Sequence, residues 1–407
     1  MLYELYEIGR AHKSGGRLDG LLNLFQYVTV RGGVAACIAI LAGLALGGSV
    51  IRWLRRRRIR ERTEKSDSPR LDEMHRTKSE TPTMGGLVIL VAVLAAAILC
   101  VNWGGLLGGE PVAFCGGYYA LLVVSVMVWM GLIGMIDDRM KLLEIRKKGM
   151  RLWTKLALQC AVALGASLLL LWLREQPDAW RTAGEGERYR TLLTLPFVRP
   201  DTAGGGEKGL PDWLLLDLPR VVFVLFTTVV IVSSTNAVNL ADGLDGLAVG
   251  CTIFVALAYA VIAYVTGNTG FADALGLPYI RGAGEVAILC AAVAGAGAAF
   301  LWFNAHPAEV FMGDTGSLAL GGFLGTVAVV VKQEVLLILA GGIFVAEALS
   351  VLVQVVSFRV WGKRVFAIAP LHHHFQFKGW PESRIVIRFW IIAGLLALAS
   401  VATLKVR

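Results

Sequence analysis

The chain has 407 residues, 56% hydrophobic and 17% charged, with a mean hydropathy of +0.65 and a formal net charge of +9. These proportions exclude an ordinary water-soluble globular protein, because about ten runs of roughly 20 apolar residues, each enough to cross a hydrocarbon core of roughly 30 Å, take up most of the length. The six cysteines lie mostly inside those runs without C-x-x-C spacing, which excludes a disulfide framework or a zinc ribbon.

In chain order, Leu18 to Val30 is too short and too polar to span, yet it carries Leu, Phe and Tyr, so an interfacial helix is expected within an N-terminal segment 1–32. A single transmembrane domain is expected over 33–407. Its first run, Gly33 to Ile51, is followed at once by Arg52, Arg55, Arg56, Arg57, Arg58, Arg60 and Arg62, which places that end in the cytoplasm. No small-residue cleavage site follows the run, so no removable leader is expected. Further runs lie near 84–101, 117–136, 153–173, 218–238, 244–265, 285–303, 317–331, 335–358 and 385–403. The fold class is therefore all-α and polytopic, with about ten spans and both termini outside. Lys and Arg agree: the loop at 137–152 and its flank are rich in both, whereas the outer loops at 102–116, 266–284 and 332–334 hold only Arg281 and Lys332. Loop 174–217 is an outer insertion, and Glu347 stands alone in the apolar tract 335–358, where span bounds are hardest to draw.

Between the fifth and sixth runs lies Asn236-Ala-Val-Asn-Leu-Ala-Asp-Gly-Leu-Asp-Gly246, in which Asn236, Asn239, Asp242 and Asp245 recur at every third residue. On a helix or tight turn this spacing gathers amides and carboxylates, although two ordinary helix caps turned by Gly243 and Gly246 read the same way. Three more clusters fall on the same side of the membrane: Asp137-Asp138, Asn304 to Gly316, and Pro370-Leu-His-His-His-Phe375. The outer loops carry only scattered acids such as Glu110, Asp273 and Glu285, so the four clusters read together as a site.

Asp137 and Asp138 repel each other unless a cation or proton is shared, and with Asp314 they offer hard oxygen ligands of the kind Mg2+ takes. His372, His373 and His374 cannot all face one target; in an extended segment the first and third share a face. With no cysteine beside them, anion binding or proton transfer suits them better than zinc. Gly313-Asp314-Thr315-Gly316 reads as a turn offering backbone N–H groups to a phosphate as a helix begins at Ser317. Lys78, Lys141 and Lys155 lie near the acids and suit phosphates, while Arg55 to Arg58 suit anionic lipid.

Taken together and in order, Thr81-Pro-Thr-Met-Gly-Gly86, Gly134-Met-Ile-Asp-Asp138, Asn236 to Gly246, Phe311-Met-Gly-Asp-Thr-Gly-Ser-Leu-Ala-Leu320, and Pro370 to Phe375 with Gly379-Trp-Pro-Glu382 resemble the phospho-N-acetylmuramoyl-pentapeptide-transferases. That family lies within the polyprenyl-phosphate N-acetylhexosamine-1-phosphate transferases, and the resemblance runs from about Leu71 to the C-terminus. It implies a Mg2+-dependent transfer of phospho-MurNAc-pentapeptide from UDP-MurNAc-pentapeptide to undecaprenyl phosphate, giving lipid I and UMP at the cytoplasmic face of the bacterial inner membrane. It further implies Asp314 as the metal ligand, Asp137 and Asp138 as the catalytic pair, and His372 close to the same centre. Phe311 would stack on uracil, Lys78 and Asp245 would meet its polar edge, and Asn239, Asp242 and Thr83 would line the ribose and diphosphate. Lys141, Lys155 and His373 would contact anionic substrate. A homodimer is a family expectation, and no nucleic-acid partner is expected.

The chain departs from the family at Glu80, where Gly is usual, and in the length of loop 174–217. Two chemistries stay open: direct attack by the lipid phosphate, or prior attack by a carboxylate to form a phosphoryl-enzyme. The alternatives are a related transferase of another sugar nucleotide, or a transporter or lipid flippase, which would hold its polar groups near the bilayer midplane.

Overall fold

In hydrocarbon every backbone N–H and C=O has to be satisfied within the protein, so isolated apolar runs of this length have to be helices. The computed structural model describes residues 1–4, 6, 22–57, 81–103, 115–143, 149–175, 191, 193–195 and 218–405. Its helices are α1 (Val28–Arg56), α2 (Gly86–Cys100), α3 (Cys115–Leu142), α4 (Leu152–Glu175), α5 (Arg220–Ala241), α6 (Leu247–Thr266), α7 (Thr269–Leu275), α8 (Ala283–Asn304), α9 (Gly313–Val330), α10 (Leu336–Ala340), α11 (Gly342–Trp361), α12 (Leu371–Phe377) and α13 (Glu382–Thr403). Nine of the described helices are long and apolar enough to cross a membrane, and α2, at 15 residues, is a shorter apolar one. The chain is a multi-pass membrane protein, with no strand among the described residues.

Each expected run has its helix, with local differences. α1 begins at Val28, so Asn23–Gln26 form only a short 3-10 turn at its foot where an interfacial helix was expected. The tract 335–358 is broken at Gly341 into α10 and α11. α9 starts at Gly313, not at Ser317, which brings Asp314 into its first turn. Lys78, Glu80, Arg58 to Arg62, Leu18 to Leu21 and most of loop 174–217 lie outside the described residues.

α9 is the post of the bundle: every residue from Thr315 to Val330 is buried, lodged chiefly between α3 and α5. α8 packs on α1 and α6. Lipid tails are as apolar as leucine, so helices associate in a membrane by close fit, and the Ala- and Gly-rich face of α8 provides it by meeting Ala36 and Gly43 of α1. Large apolar side chains such as Leu41, Trp129, Trp302 and Leu398 are left on the outside, where lipid covers them.

Polar ties close the end of the bundle remote from the clusters above. Arg31 grips Glu285 through two hydrogen bonds of 2.8 and 2.7 Å and also donates to the Cys100 carbonyl, while Asn102 N–H donates to Glu285 at 2.9 Å. Nearby, Arg174 donates to the Val329 carbonyl at 2.7 Å and the Tyr259 hydroxyl to the Gln333 carbonyl at 2.8 Å. Burial pushes the Glu334 carboxyl above the usual carboxylate range, against the pull of Arg174 and Lys332.

Candidate active site

The site begins where α3 meets the first turn of α9. Gly134 lies so close to the Asp314 carbonyl that any Cβ there would collide with it. One turn later Asp138 therefore reaches the end of α9, accepting hydrogen bonds from Asp314 N at 3.2 Å, Thr315 N at 3.0 Å and Thr315 Oγ1 at 2.8 Å. From sequence the aspartate pair closes a helix, a poor place for negative charge. In the fold α3 continues to Leu142, and Asp138 meets the positive end of α9 instead.

Asp137 points elsewhere. It accepts from Met150 N at 2.6 Å, and its Oδ2 lies 2.7 Å from Lys141 Nζ and 3.5 Å from Lys155 Nζ. The same two ammonium groups lie 2.8 and 2.6 Å from Asp314 Oδ2. Asn239 Nδ2 completes the group, donating to Asp314 Oδ1 at 2.9 Å and to Ser317 Oγ at 2.8 Å. Thus α3, α4, α5 and α9 each supply a charged or amide side chain to one centre. The side chains of Lys141 and Lys155 are 23% and 15% exposed, against 3% for Asp137, so the cluster opens on the lysine side. Asn236, by contrast, is tied into the bundle, donating to Gln159 Oε1 and the Val232 carbonyl.

The donor set fits a hard divalent cation. Asp137 Oδ2 and Asp314 Oδ2 converge on the same ammonium, so a cation in that place would meet carboxylate oxygens from both. A second set of donors lies at Asp245, His306 and Glu382, one ligand atom from each falling within 4.8 Å of the others. There Asp245 Oδ2 is 3.0 Å from His306 Nδ1 and accepts from Ala308 N at 3.3 Å, while Asp245 N donates to Glu382 Oε1 at 2.8 Å.

Phe311 lies along the chain between His306 of the second group and Asp314 of the first. Phe311 N donates to the Pro82 carbonyl, Gly85 N to the Phe311 carbonyl and Gly86 N to the Met312 carbonyl, at 2.8, 2.8 and 3.0 Å. This pairing satisfies non-helical backbone where it is enclosed by protein, and it puts the buried Thr83 against Gly313. Phe311 is only half-buried, unlike a core aromatic. Asn304 closes the other side, accepting from Gly246 N at 3.0 Å and donating to the Val310 carbonyl at 2.8 Å.

The histidine run is helix α12, so His372 and His374 do not share the face that an extended segment would give them. His372 is fully buried, with Nδ1 3.2 Å from Glu347 Oε2. His373 Nδ1 faces Gln376 Oε1 at 2.7 Å, and His374 Nδ1 accepts from Ala367 N at 3.1 Å. Burial and the Lys378 ammonium hold His374 below the usual imidazole range, in keeping with that acceptor role.

Asn304, His306, Glu347 and Glu382 were not singled out as site residues from sequence. Asn304 and His306 fall in the cluster Asn304 to Gly316 and Glu382 in the motif Gly379 to Glu382, but nothing in the sequence gives any of the three a role of its own. Glu347 does carry a signal, as an acid inside an apolar helix.

A family model described as glycosyl transferase family 4 matches residues 119–332, more than half of the chain. The chain belongs to glycosyl transferase family 4. The phospho-N-acetylmuramoyl-pentapeptide-transferase signature 1 matches residues 78–90, which makes this family 4 member a phosphoglycosyl transferase of that type. The larger match contains Asp137, Asp138, Lys141, Lys155, Asn239, Asp242, Asp245, Phe311 and Asp314, and the signature contains Thr83. Family 4 enzymes of this type are metal-dependent and use a nucleotide sugar and a polyprenyl phosphate in a membrane.

Proposed function

We propose that this family 4 enzyme moves phospho-MurNAc-pentapeptide from UDP-MurNAc-pentapeptide to undecaprenyl phosphate, releasing UMP and forming lipid I, with Mg2+ and at the cytoplasmic face of the bacterial inner membrane. One observation carries this reading: Asp137, Lys141, Lys155 and Asp314 form a single acid–ammonium cluster at the start of α9. The signature at 78–90 supports the muramoyl donor, and the arginines at the end of α1 support the cytoplasmic side.

An oxygen of the lipid phosphate attacks the sugar-bearing phosphorus of the donor. That P–O bond forms while the bond from the same phosphorus to the bridging oxygen breaks, and the electron pair leaves with UMP. One diphosphate replaces another, so the barrier lies in charge repulsion and alignment. Asp314 and Asp137 would hold Mg2+, which when bound supplies neutralisation of diphosphate charge. Lys141 and Lys155 take phosphate oxygens, and Asp137 orients the acceptor phosphate.

Asp138 acts through α9, because its two oxygens are taken up by Asp314 and Thr315. That occupancy favours direct attack over a phosphoryl-enzyme on this residue. On the donor side Phe311 stacks on uracil, Asp245 and Lys78 meet its polar edge, and Asn239, Asp242, Thr83 and His373 line the ribose and diphosphate.

The test is UMP release by the purified enzyme with both substrates, with and without Mg2+, beside Asp314→Asn. Release that ignores both the cation and the substitution overturns the metal assignment. Phosphosugar retained on the protein without lipid overturns direct attack.

A further inference from the structure

Glu347 is a carboxylate inside the apolar helix α11, with no exposed surface. A buried acid in a membrane helix is costly unless its oxygens are fully engaged, so its partners indicate what it is for. Among the described residues they are all at the start of α12: Leu371 N donates to it at 2.7 Å, His372 N at 3.2 Å, and His372 Nδ1 lies 3.2 Å away. Pro370 precedes α12 and offers no side-chain cap, so Glu347 takes that place from a different helix.

The His372 ring, also fully buried, passes this restraint on. Its Nε2 lies against Gly243, where any Cβ would collide with it, and neither ring nitrogen has a hydrogen bond of good geometry among the described residues. Gly243 stands between Asp242 and Asp245, in the loop that follows Asn239. A shift of the imidazole is therefore a shift of the donor-side acids.

We propose that Glu347 is a positioning residue for donor binding, acting through the His372 imidazole on the backbone of the loop from Asp242 to Gly246. This deepens the reading under Proposed function and rests on that reading's assignment of the loop to the nucleotide donor. Glu347 touches no substrate. Its loss raises the donor KM while leaving the acceptor KM and kcat near their original values.

The experiment uses the full chain in detergent, with calorimetric binding of UDP-MurNAc-pentapeptide and steady-state kinetics for both substrates. Glu347→Gln keeps the shape and removes the charge. Gly243→Ala drives a methyl group into His372 without touching Glu347, and serves should the first variant fold poorly. Each is expected to weaken donor binding about ten-fold, on the scale of one hydrogen bond to a charged group. The double variant is expected to be no worse than the weaker single one, since both act through one imidazole. Wild-type protein that fails to bind the donor overturns the reading of the donor and this inference with it. Wild-type protein that binds, beside variants with unchanged donor affinity or with donor and acceptor KM raised alike, overturns the inference alone.

Discussion

The Asp138 carboxylate of α3 accepts both the backbone N–H and the hydroxyl of Thr315 in α9, at 3.0 and 2.8 Å, which joins the two acid-bearing helices at the residue next to Asp314. Asp138→Ala leaves buried amides of α9 without a partner, at a cost of about 1–3 kcal/mol, and Thr315→Val, which loses only the hydroxyl, about 1 kcal/mol. Thermal unfolding in detergent should show that order, with kcat falling most in Asp138→Ala. An Asp138→Ala enzyme with unchanged Tm and kcat would contradict the anchoring role.

Asp314 meets both Lys141 and Lys155 through one oxygen. Asp314→Asn keeps the Asn239 bond and the helix start, so folding should survive while kcat falls roughly 100- to 1000-fold, the usual scale for losing a charge-stabilising group. Lys141→Met and Lys155→Met should raise KM for both anionic substrates. UMP release followed against Mg2+ concentration checks each, and an Asp314→Asn enzyme with wild-type kcat and an unchanged Mg2+ dependence would move the metal to other ligands.

Phe311 is half-buried on a backbone held at both its N–H and its carbonyl, so its ring position does not depend on core packing. Phe311→Leu should weaken donor binding by about 1–3 kcal/mol, the scale of a base stacked on an aromatic ring, while Phe311→Tyr stays near wild type. Donor KM measured at saturating lipid decides this, and an equal effect of Leu and Tyr would refute stacking.

Arg31 and Glu285 form a buried, doubly hydrogen-bonded pair at the end of the bundle away from the site. Arg31→Met should cost about 3–5 kcal/mol because the buried Glu285 loses its counter-charge and keeps only the Asn102 N–H, and Arg31→Met with Glu285→Leu should recover most of it. Activity per folded molecule should match wild type in both. Melting curves with activity normalised to folded protein test this, and a single variant as stable as the double would sink it.

Much of the fold was legible in the chain because a membrane is a strict solvent: it demands runs of a set length, and each expected run between Gly33 and the C-terminus has its helix. The start of α9 was not legible. Gly313 looks like a turn until Asp138 is seen to satisfy the amides of Asp314 and Thr315, which lie more than 170 residues away in sequence. Likewise Asp137 and Asp138 are indistinguishable as letters, yet one faces two lysines and the other a helix end.

By itself the sequence determined that this is a multi-pass helical membrane protein, and it picked out clusters of acids, amides and histidines where the spans end, since both follow from hydropathy and spacing along the chain. Only the tertiary structure decided which of those residues meet. It set Asp314 between Lys141 and Lys155, bound Asp245 to His306 beside Glu382, and placed Glu347 behind His372 and Gly243. The reason is physical: a carboxylate's task is fixed by the donors within about 3 Å of it. In a bundle of spans those donors come from other helices, at sequence distances that no local pattern records.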